Sequence, residues 1–370
     1  MKDYKKFDVL VVGAGISGST LAERFASIGK KVLIIDKRNH IAGNCYDYTD
    51  KNGILVPLYG PHFLHTDYED VKNYLDKFTE WIPFKLKLLS NVDGKRLVPL
   101  PVNINTVNSL FDIQIKNEEE MLKWLEMNRV NIPSPVNSEE SAVSRMGRKL
   151  YNLLVKNYVK KQWDLWPNEL DPEVLDRIPV RTNFDDNYFS DKYQCMPKEG
   201  FTKMFQNILS NKNISVKLNT NFFDLKNRNF KIIIFTGKID DYFNKSNLDK
   251  LQYRSMEFHF ESINKEFFQD VAVVSYPNTE MFTRITEPKH STLKKTTKTT
   301  IIKEFPTWGE EPYYPIFSKI NKDLYSLYKA LAEKEKNIYF IGRLAQYKYF
   351  DMDDAFKNAL DFFDKIKDKI

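Results

Sequence analysis

FDVLVVGAGISGSTLAERFASIGKKVLIIDKRNHIAGN, residues 7–44, governs how the rest of the chain is read. It opens with an apolar, β-branched run, Val9 to Val12, of the kind that forms a strand buried on both faces of a parallel sheet. Gly13, Gly15 and Gly18 follow with the GxGxxG spacing. The first glycine permits a tight turn, the second lets a pyrophosphate approach the backbone, and the third lets the helix pack close to the strand. A helix expected from about Ser17 to Ile28 then offers its free N–H groups and positive dipole end to the phosphates. A second strand, Lys31 to Ile35, ends at Asp36, eighteen residues beyond Gly18, where a carboxylate can accept hydrogen bonds from a ribose. Because strand, helix, strand and acid arrive in order, the glycines read as a dinucleotide site rather than as ordinary turn chemistry. An acid at Asp36 favours a free ribose hydroxyl and leaves NAD and FAD as alternatives.

Composition bounds the remaining choices. At 370 residues the chain exceeds what one hydrophobic core usually holds, so two or three domains are expected. Apolar content of 42% and charged content of 29% suit a soluble globular protein, with no apolar run of membrane-spanning length. No signal-like apolar segment precedes the first strand, so a cytoplasmic location and no membrane association are expected. The cysteines, Cys45 and Cys195, form neither a CxxC pair nor a disulfide framework, and no cluster suggests a metal. The net charge of +6 arises from 56 basic and 50 acidic residues and is not gathered into a stripe, which argues against nucleic acid. Its one dense patch, KKTTK at 294–298, reads as a solvated edge or hairpin.

Beyond the opening unit, Lys51-Asn52-Gly53 marks a turn between short strands, and His62 and His65 fall in a Gly-Pro loop suited to a polar pocket. Residues 84–101 read as strands turning at Asp93-Gly94. Helical periodicity then takes over, including a helix from about Ser141 to Trp163 whose Tyr158 and Trp163 suit either core or site. The segment RIPVRTNFDDNYFSDKYQCMPKEGF, 177–201, mixes arginine with aromatics, a texture suited to planar anions and rings. A strand ending at Thr236-Gly237 signals a return to the first sheet. Residues 251–320 alternate apolar and polar as in an antiparallel sheet, with Arg254 and Arg284 inside strands and EEPYYPIF, 310–317, as a rigid loop. A last strand ending at Gly342-Arg343 precedes an amphipathic C-terminal helix. A sheet that is interrupted and then resumed so late favours FAD over NAD. The expected class is α/β: a discontinuous Rossmann-like FAD-binding domain (1–84, 200–245, 325–370), a helical insertion (102–170) and an antiparallel sheet domain (85–101, 171–199, 246–324).

Eight ordered blocks carry a family resemblance: GAGISG with RNHIAGN, YGPHFLHT, NYVKKQW, IPVRTNFDDNYF, YRSMEF, FTRITEPKH, EPYYPI and GRLAQYKYFDMD. With these the chain resembles the bacterial UDP-galactopyranose mutases from residue 9 to 353. The resemblance implies an FAD enzyme, active when the flavin is reduced, that interconverts UDP-galactopyranose and UDP-galactofuranose through a covalent flavin–sugar adduct without net redox change. It further implies that Arg181 and Arg284 clamp the diphosphate, with Arg181 on a closing loop, and that His65 lies against the flavin with His62 nearby. Tyr314 and Tyr349 would donate to the diphosphate, while Tyr158, Trp163 and Tyr188 would contact uridine and sugar. Gly13, Gly15, Ser17, Gly18, Asp36, Lys37, Gly43, Asn44, Arg343 and Asp351 would belong to the cofactor side. A UDP-sugar is the expected partner, and a homodimer stays open.

The chain departs from the family pattern at Ala42, where a glycine is usual and a slightly tighter turn is expected, and at Asp164, Cys195, Lys238, Phe282 and Pro288. These changes bear on loop motion and on the sugar accepted, so UDP-N-acetylgalactosamine is a further candidate substrate. The alternative reading is an FAD-dependent, amine-oxidase-like oxidoreductase with the same opening fingerprint. Two arginines placed for phosphate argue against it.

Overall fold

The computed structural model describes residues 6–226 and 228–369. Its centre is a five-stranded parallel sheet in the order Ile214–Lys217, Val32–Ile35, Val9–Val12, Ile232–Phe235, Ile338–Phe340. The first strand in sequence lies in the middle because its side chains are apolar on both faces and need cover on both. On one face Val9, Val11, Val32 and Ile34 pack against helices Ile16–Ser27 and Met352–Ile366, where Phe25 and Phe363 meet edge to face at 5.5 Å. On the other, Leu10, Leu33, Ile35 and Ile233 pack against Phe222, Leu225 and Phe230. This alternation follows the two-residue period of a strand. The last helix therefore closes the same face as the first, more than 300 residues later in the chain.

A seven-stranded sheet forms the second layer, in the order Tyr314–Pro315, Tyr253–Ile263, Thr299–Thr307, Arg284–Thr286, Val273–Ser275, Leu88–Asn91, Leu97–Leu100. All its pairings are antiparallel except Val273–Ser275 with Leu88–Asn91. Tyr314–Pro315 is an edge strand on Tyr253–Arg254 rather than a plain loop. An edge tolerates the proline because the missing N–H faces away from the ladder. Arg254, inside the strand Tyr253–Ile263, is 3% exposed. Its Nε donates to the Gln162 carbonyl at 3.1 Å, and its guanidinium lies 4.6 Å from the Trp308 ring. The KKTTK patch lies in irregular chain before strand Thr299–Thr307, with the Thr296 carbonyl accepting from buried Lys289.

Helices Ile104–Phe111, Glu118–Asn128 and Ser138–Leu150 pack around Met121, Leu125, Met146 and Leu150. Each opens on an asparagine whose side chain accepts a backbone N–H three residues on. The single helix expected over 141–163 is broken. Gly147 adopts φ +80°, Tyr151–Val155 forms a π turn, and a new helix runs from Lys156 to Trp163. The wider π turn rotates the later residues, so that Leu154, Val155, Tyr158 and Trp163 all line one cavity. Among the described residues no helix is long and apolar enough to cross a membrane.

Ala42 was expected only to tighten its turn, but it sits at φ +71°, fully buried. That region disfavours any side chain with a Cβ by roughly 1–2 kcal/mol. Ala42→Gly should therefore raise the unfolding free energy by about 0.5–1 kcal/mol, the relief of strain exceeding the entropy gained by the unfolded chain. Urea midpoints of the two proteins measure it, and a lower midpoint for the glycine variant would contradict the strain argument.

Candidate active site

Two cavities meet behind the first sheet. The larger, of about 500 Å³, runs along the carboxyl ends of the parallel strands and is lined by Gly13, Gly15, Ser17, Asp36, Lys37, Gly43 and Asn44. Gly13 is required at its turn: its φ is +102°, and a Cβ there would stand 2.1 Å from Thr236 Oγ1. Gly18 does not line the cleft. It brings the helix onto the turn, where a Cβ would stand 1.9 Å from the Gly13 carbonyl oxygen. The helix Ile16–Ser27 begins after Gly15 with no side-chain cap and no acidic residue in its first turn, which leaves its N–H groups and dipole for an anion. Asp36 accepts from the Ala14 N–H at 2.7 Å and the Arg38 N–H at 2.8 Å, which fixes its carboxylate at the cleft wall. These residues fit a dinucleotide.

Lys37 points its ammonium to Glu311 at 2.6 Å. Its neighbour Arg38, which sequence reasoning did not single out, lines the cleft, donates to Asn44 Oδ1 at 2.9 Å and lies 4.4 Å from the Tyr59 ring. A basic residue next to the ribose-site acid was the available signal.

The second cavity, of about 260 Å³, lies between the π-turned helix, the seven-stranded sheet and the C-terminal segment. Its wall includes Tyr158, Trp163, Tyr188, Arg284, Tyr314, Tyr349 and His65, residues drawn from segments up to 284 positions apart. Asn44, His62, Tyr313, Arg343, Asp351 and Met352 line both cavities. The shared wall is where a cofactor ring in one cavity would meet a substrate in the other.

Three guanidinium groups face the second cavity. Arg284 donates from Nε to Glu304 at 2.7 Å, and Glu304 also accepts from Thr286 Oγ1 at 3.1 Å, so the two Nη groups of Arg284 remain for a ligand. Burial alone would lower the Arg284 pKa, but Glu304 more than reverses this and the group stays cationic. Arg343 donates to the Tyr313 carbonyl at 3.5 Å and to the Phe350 carbonyl, with its guanidinium 5.7 Å from the Tyr314 ring and 5.4 Å from the Tyr349 ring. The third is Arg177, stacked 4.3 Å from the Tyr349 ring.

Arg181, the expected clamp, is not among the cavity-lining residues. Its guanidinium donates to the carbonyls of Asp185, Asn187 and Tyr188, and its backbone N–H to Val102 at 2.8 Å. Those carbonyls belong to its own loop, the one that presents Tyr188, and within RIPVR it is Arg177 that lines the cavity. The short helix Glu173–Asp176 ends just before Arg177, and that turn sets which of the two arginines faces inward. Glu304 was missed too, because its position opposite Arg284 depends on strand register.

The two histidines differ in which cavity they line. His62 faces both cavities, whereas His65 lines only the second, 3.2 Å from the Asp191 carboxylate and stacked at 3.6 Å on Phe189. Burial pushes the His62 pKa down to about 4. The neutral ring then carries its proton on Nδ1, toward the Gly60 carbonyl at 3.0 Å, leaving Nε2 as an acceptor. Between pH 6.5 and about 4 the unfolded chain binds the His62 proton before the folded protein does, so stability is lost as the pH falls through that window. His62→Gln should show a smaller drop in urea midpoint from pH 7 to pH 5 than the parent. Equal drops would assign the acid sensitivity elsewhere.

Burial also raises Tyr158 and Tyr349 to about 12, which keeps both phenols neutral hydrogen-bond donors at pH 7. Leu154, Val155, Val159, Val174 and Pro179 give this cavity an apolar part of its lining. Neither cysteine is paired, and Cys45 is pushed up to about 12 by burial, which keeps it an unreactive thiol. The described residues contain no group of three metal-ligating side chains.

A Rossmann-type dinucleotide cleft joined to a cationic, tyrosine-lined cavity defines a nucleotide-cofactor enzyme that handles an anionic substrate. Comparison with known proteins narrows the class. The family model for UDP-galactopyranose mutase matches residues 153–349, and that for the NAD(P)-binding Rossmann-like domain matches 11–78. The chain is 37% identical to the dTDP-fucopyranose mutase of Escherichia coli, covering 95% of this chain and 96% of that one. It is 36% identical to a probable UDP-galactopyranose mutase of Klebsiella pneumoniae, covering 97% and 95%. A crystal structure of reduced UDP-galactopyranose mutase shares the fold, with TM-score 0.80 at 16% identity over 98% of this chain and 96% of that one. The chain belongs to the UDP-galactopyranose mutase family. It is thus an isomerase by family, and its Rossmann domain and family together imply a flavin cofactor.

Proposed function

We propose that this protein is a cytoplasmic nucleoside-diphosphate-hexose mutase that uses reduced FAD to interconvert UDP-galactopyranose and UDP-galactofuranose. The observation that carries this reading is the convergence of Arg177, Arg284 and Arg343 on one cavity that shares a wall with the dinucleotide cleft. Three guanidinium groups against the nearby carboxylates of Glu304 and Asp351 leave net positive charge where a diphosphate would leave and return. Tyr314 and Tyr349 add donors at the same place, and their rings lie parallel 6.5 Å apart.

The residues would divide the work as follows. Tyr158 and Trp163, with the apolar part of the lining, receive the nucleoside, and Tyr188 closes that side. Gly13, Gly15, Ser17, Asp36, Arg38, Gly43 and Asn44 hold the dinucleotide. A reduced flavin, when bound, supplies a nucleophile for the anomeric carbon with no net electron transfer. Arg284 and Arg177 hold the departing diphosphate so that it remains poised for the reverse step. His62 Nε2 accepts a hydrogen bond at the shared wall, and His65 orders Phe189 beside it.

The sugar is the open choice within this reading. Similarity to the dTDP-fucopyranose mutase matches that to the probable UDP-galactopyranose mutase, so a dTDP-6-deoxyhexose is the second reading. Incubating dithionite-reduced enzyme with UDP-galactopyranose, UDP-N-acetylgalactosamine or dTDP-fucopyranose, and separating the products, should show a furanose from at least the first. No furanose from any of the three would sink the proposal, and stoichiometric peroxide from an amine would favour the oxidase instead.

A further inference from the structure

We propose that Arg145, which touches neither cavity, is a positioning residue that sets Arg177; the proposal rests on reading the second cavity as a diphosphate site. Arg145 lies on the helix Ser138–Leu150. Its Nη1 donates to the Ile178 carbonyl at 2.6 Å, its Nη2 to the Leu175 carbonyl at 2.8 Å, and its Nε to the Ser141 carbonyl of its own helix at 3.2 Å. The two outer acceptors bracket Arg177, one two residues before it and one immediately after.

The segment needs such a holder. Its helix, Glu173–Asp176, is four residues long, too short to be stable alone, and apart from Arg145 its Leu175 carbonyl accepts only from backbone N–H groups of the same turn, Ile178's at 3.0 Å. One planar guanidinium spans both carbonyls, a geometry that a lysine ammonium on a flexible stem cannot reproduce. A second bond from the same helix joins the Ser141 hydroxyl to the Asp176 carboxylate. On the downstream side the Arg181 N–H is fixed to Val102. Between these ties the Arg177 side chain crosses to the Tyr349 ring, on a part of the chain 172 positions away. Arg145 itself lines a separate outer cleft with Arg129, Ser144 and Asp176. It therefore acts on a bound diphosphate only through the backbone that carries Arg177.

The test is a double-mutant cycle read by UDP binding to the flavin-loaded protein, together with hydrogen exchange of the unliganded protein. Arg145→Met is expected to raise the UDP Kd about tenfold when Arg177 is present and less than twofold in an Arg177→Ala background, because a residue that acts only through another has no effect once the other is gone. Arg145→Lys, the variant to use should methionine unfold the helical unit, should give an intermediate loss. Backbone amides of residues 175–181 should exchange faster in either variant, while those of Lys156–Trp163 should not. Equal losses in both backgrounds, or unchanged exchange at 175–181, would overturn the proposal. If the parent protein bound no UDP, the diphosphate reading itself would fall, and the exchange result would still decide whether Arg145 holds the segment.

Discussion

Replacing Arg284 by alanine is expected to lower kcat/KM for the UDP-sugar by about 10³-fold, on the order of 4 kcal/mol of transition-state stabilisation, while the purified protein stays yellow. Arg284 stands in the substrate cavity and not in the dinucleotide cleft, so its loss leaves cofactor retention intact. The effect is large for two reasons. In the proposed function the cation would face charge that develops as the diphosphate departs, and truncation strands Glu304, a 1% exposed carboxylate whose charge Arg284 balances. Glu304→Gln in the Arg284→Ala background separates the two: it should recover thermal stability without recovering activity. Turnover within tenfold of the parent for Arg284→Ala would remove the arginine from the proposed chemistry.

The second large effect distinguishes the paired arginines of RIPVR. Arg177→Ala should reduce kcat/KM by about 10²-fold or more with little change in stability, because the side chain faces the cavity and packs on the Tyr349 ring. Arg181→Ala should behave in the opposite sense. It removes the guanidinium from three loop carbonyls, of which only that of Asp185 keeps another side-chain donor, Asn103 Nδ2 at 3.0 Å, and should destabilise the fold by about 1–3 kcal/mol, with activity falling only as far as Tyr188 is displaced. Steady-state kinetics and urea melts on both variants settle the assignment. A larger kinetic loss for Arg181 than for Arg177 would restore the expectation drawn from the sequence.

Family patterns are carried by residue types in order, and within RIPVR the type is the same at both positions. Spacing of four residues, about one helical turn, does not say which arginine faces inward when the helix stops at Asp176 and the chain turns irregular. The histidines pose the same difficulty. His62 lies in the loop after Gly60 and His65 three residues on in the strand Leu64–Thr66, and only that backbone path turns His62 to the junction and His65 toward Asp191. Ala42 read as harmless because size is visible in a sequence and φ is not.

Much else was legible because it is local. The run Val9–Val12, the glycines at 13, 15 and 18, the helix after them and Asp36 form one continuous unit whose periodicity and turn chemistry lie within 30 residues. That unit determined the α/β class and the dinucleotide cleft, and the later strand–glycine pairs at Gly237 and Gly342 announced the return to its sheet. The tyrosines at 158, 188, 314 and 349, which only the family resemblance assigned to one site, line one cavity.

What only the tertiary structure decided is how those distant pieces face one another. Strand register places Glu304 behind Arg284, a π turn rotates Tyr158 and Trp163 to one wall, and Arg145 reaches from a separate helix to hold the segment that carries Arg177. Each depends on contacts between segments far apart in the chain. The physical reason is that backbone periodicity and glycine chemistry act over a few residues, whereas the placement of a buried charge is set by whichever carbonyls and carboxylates the completed fold brings within hydrogen-bonding distance.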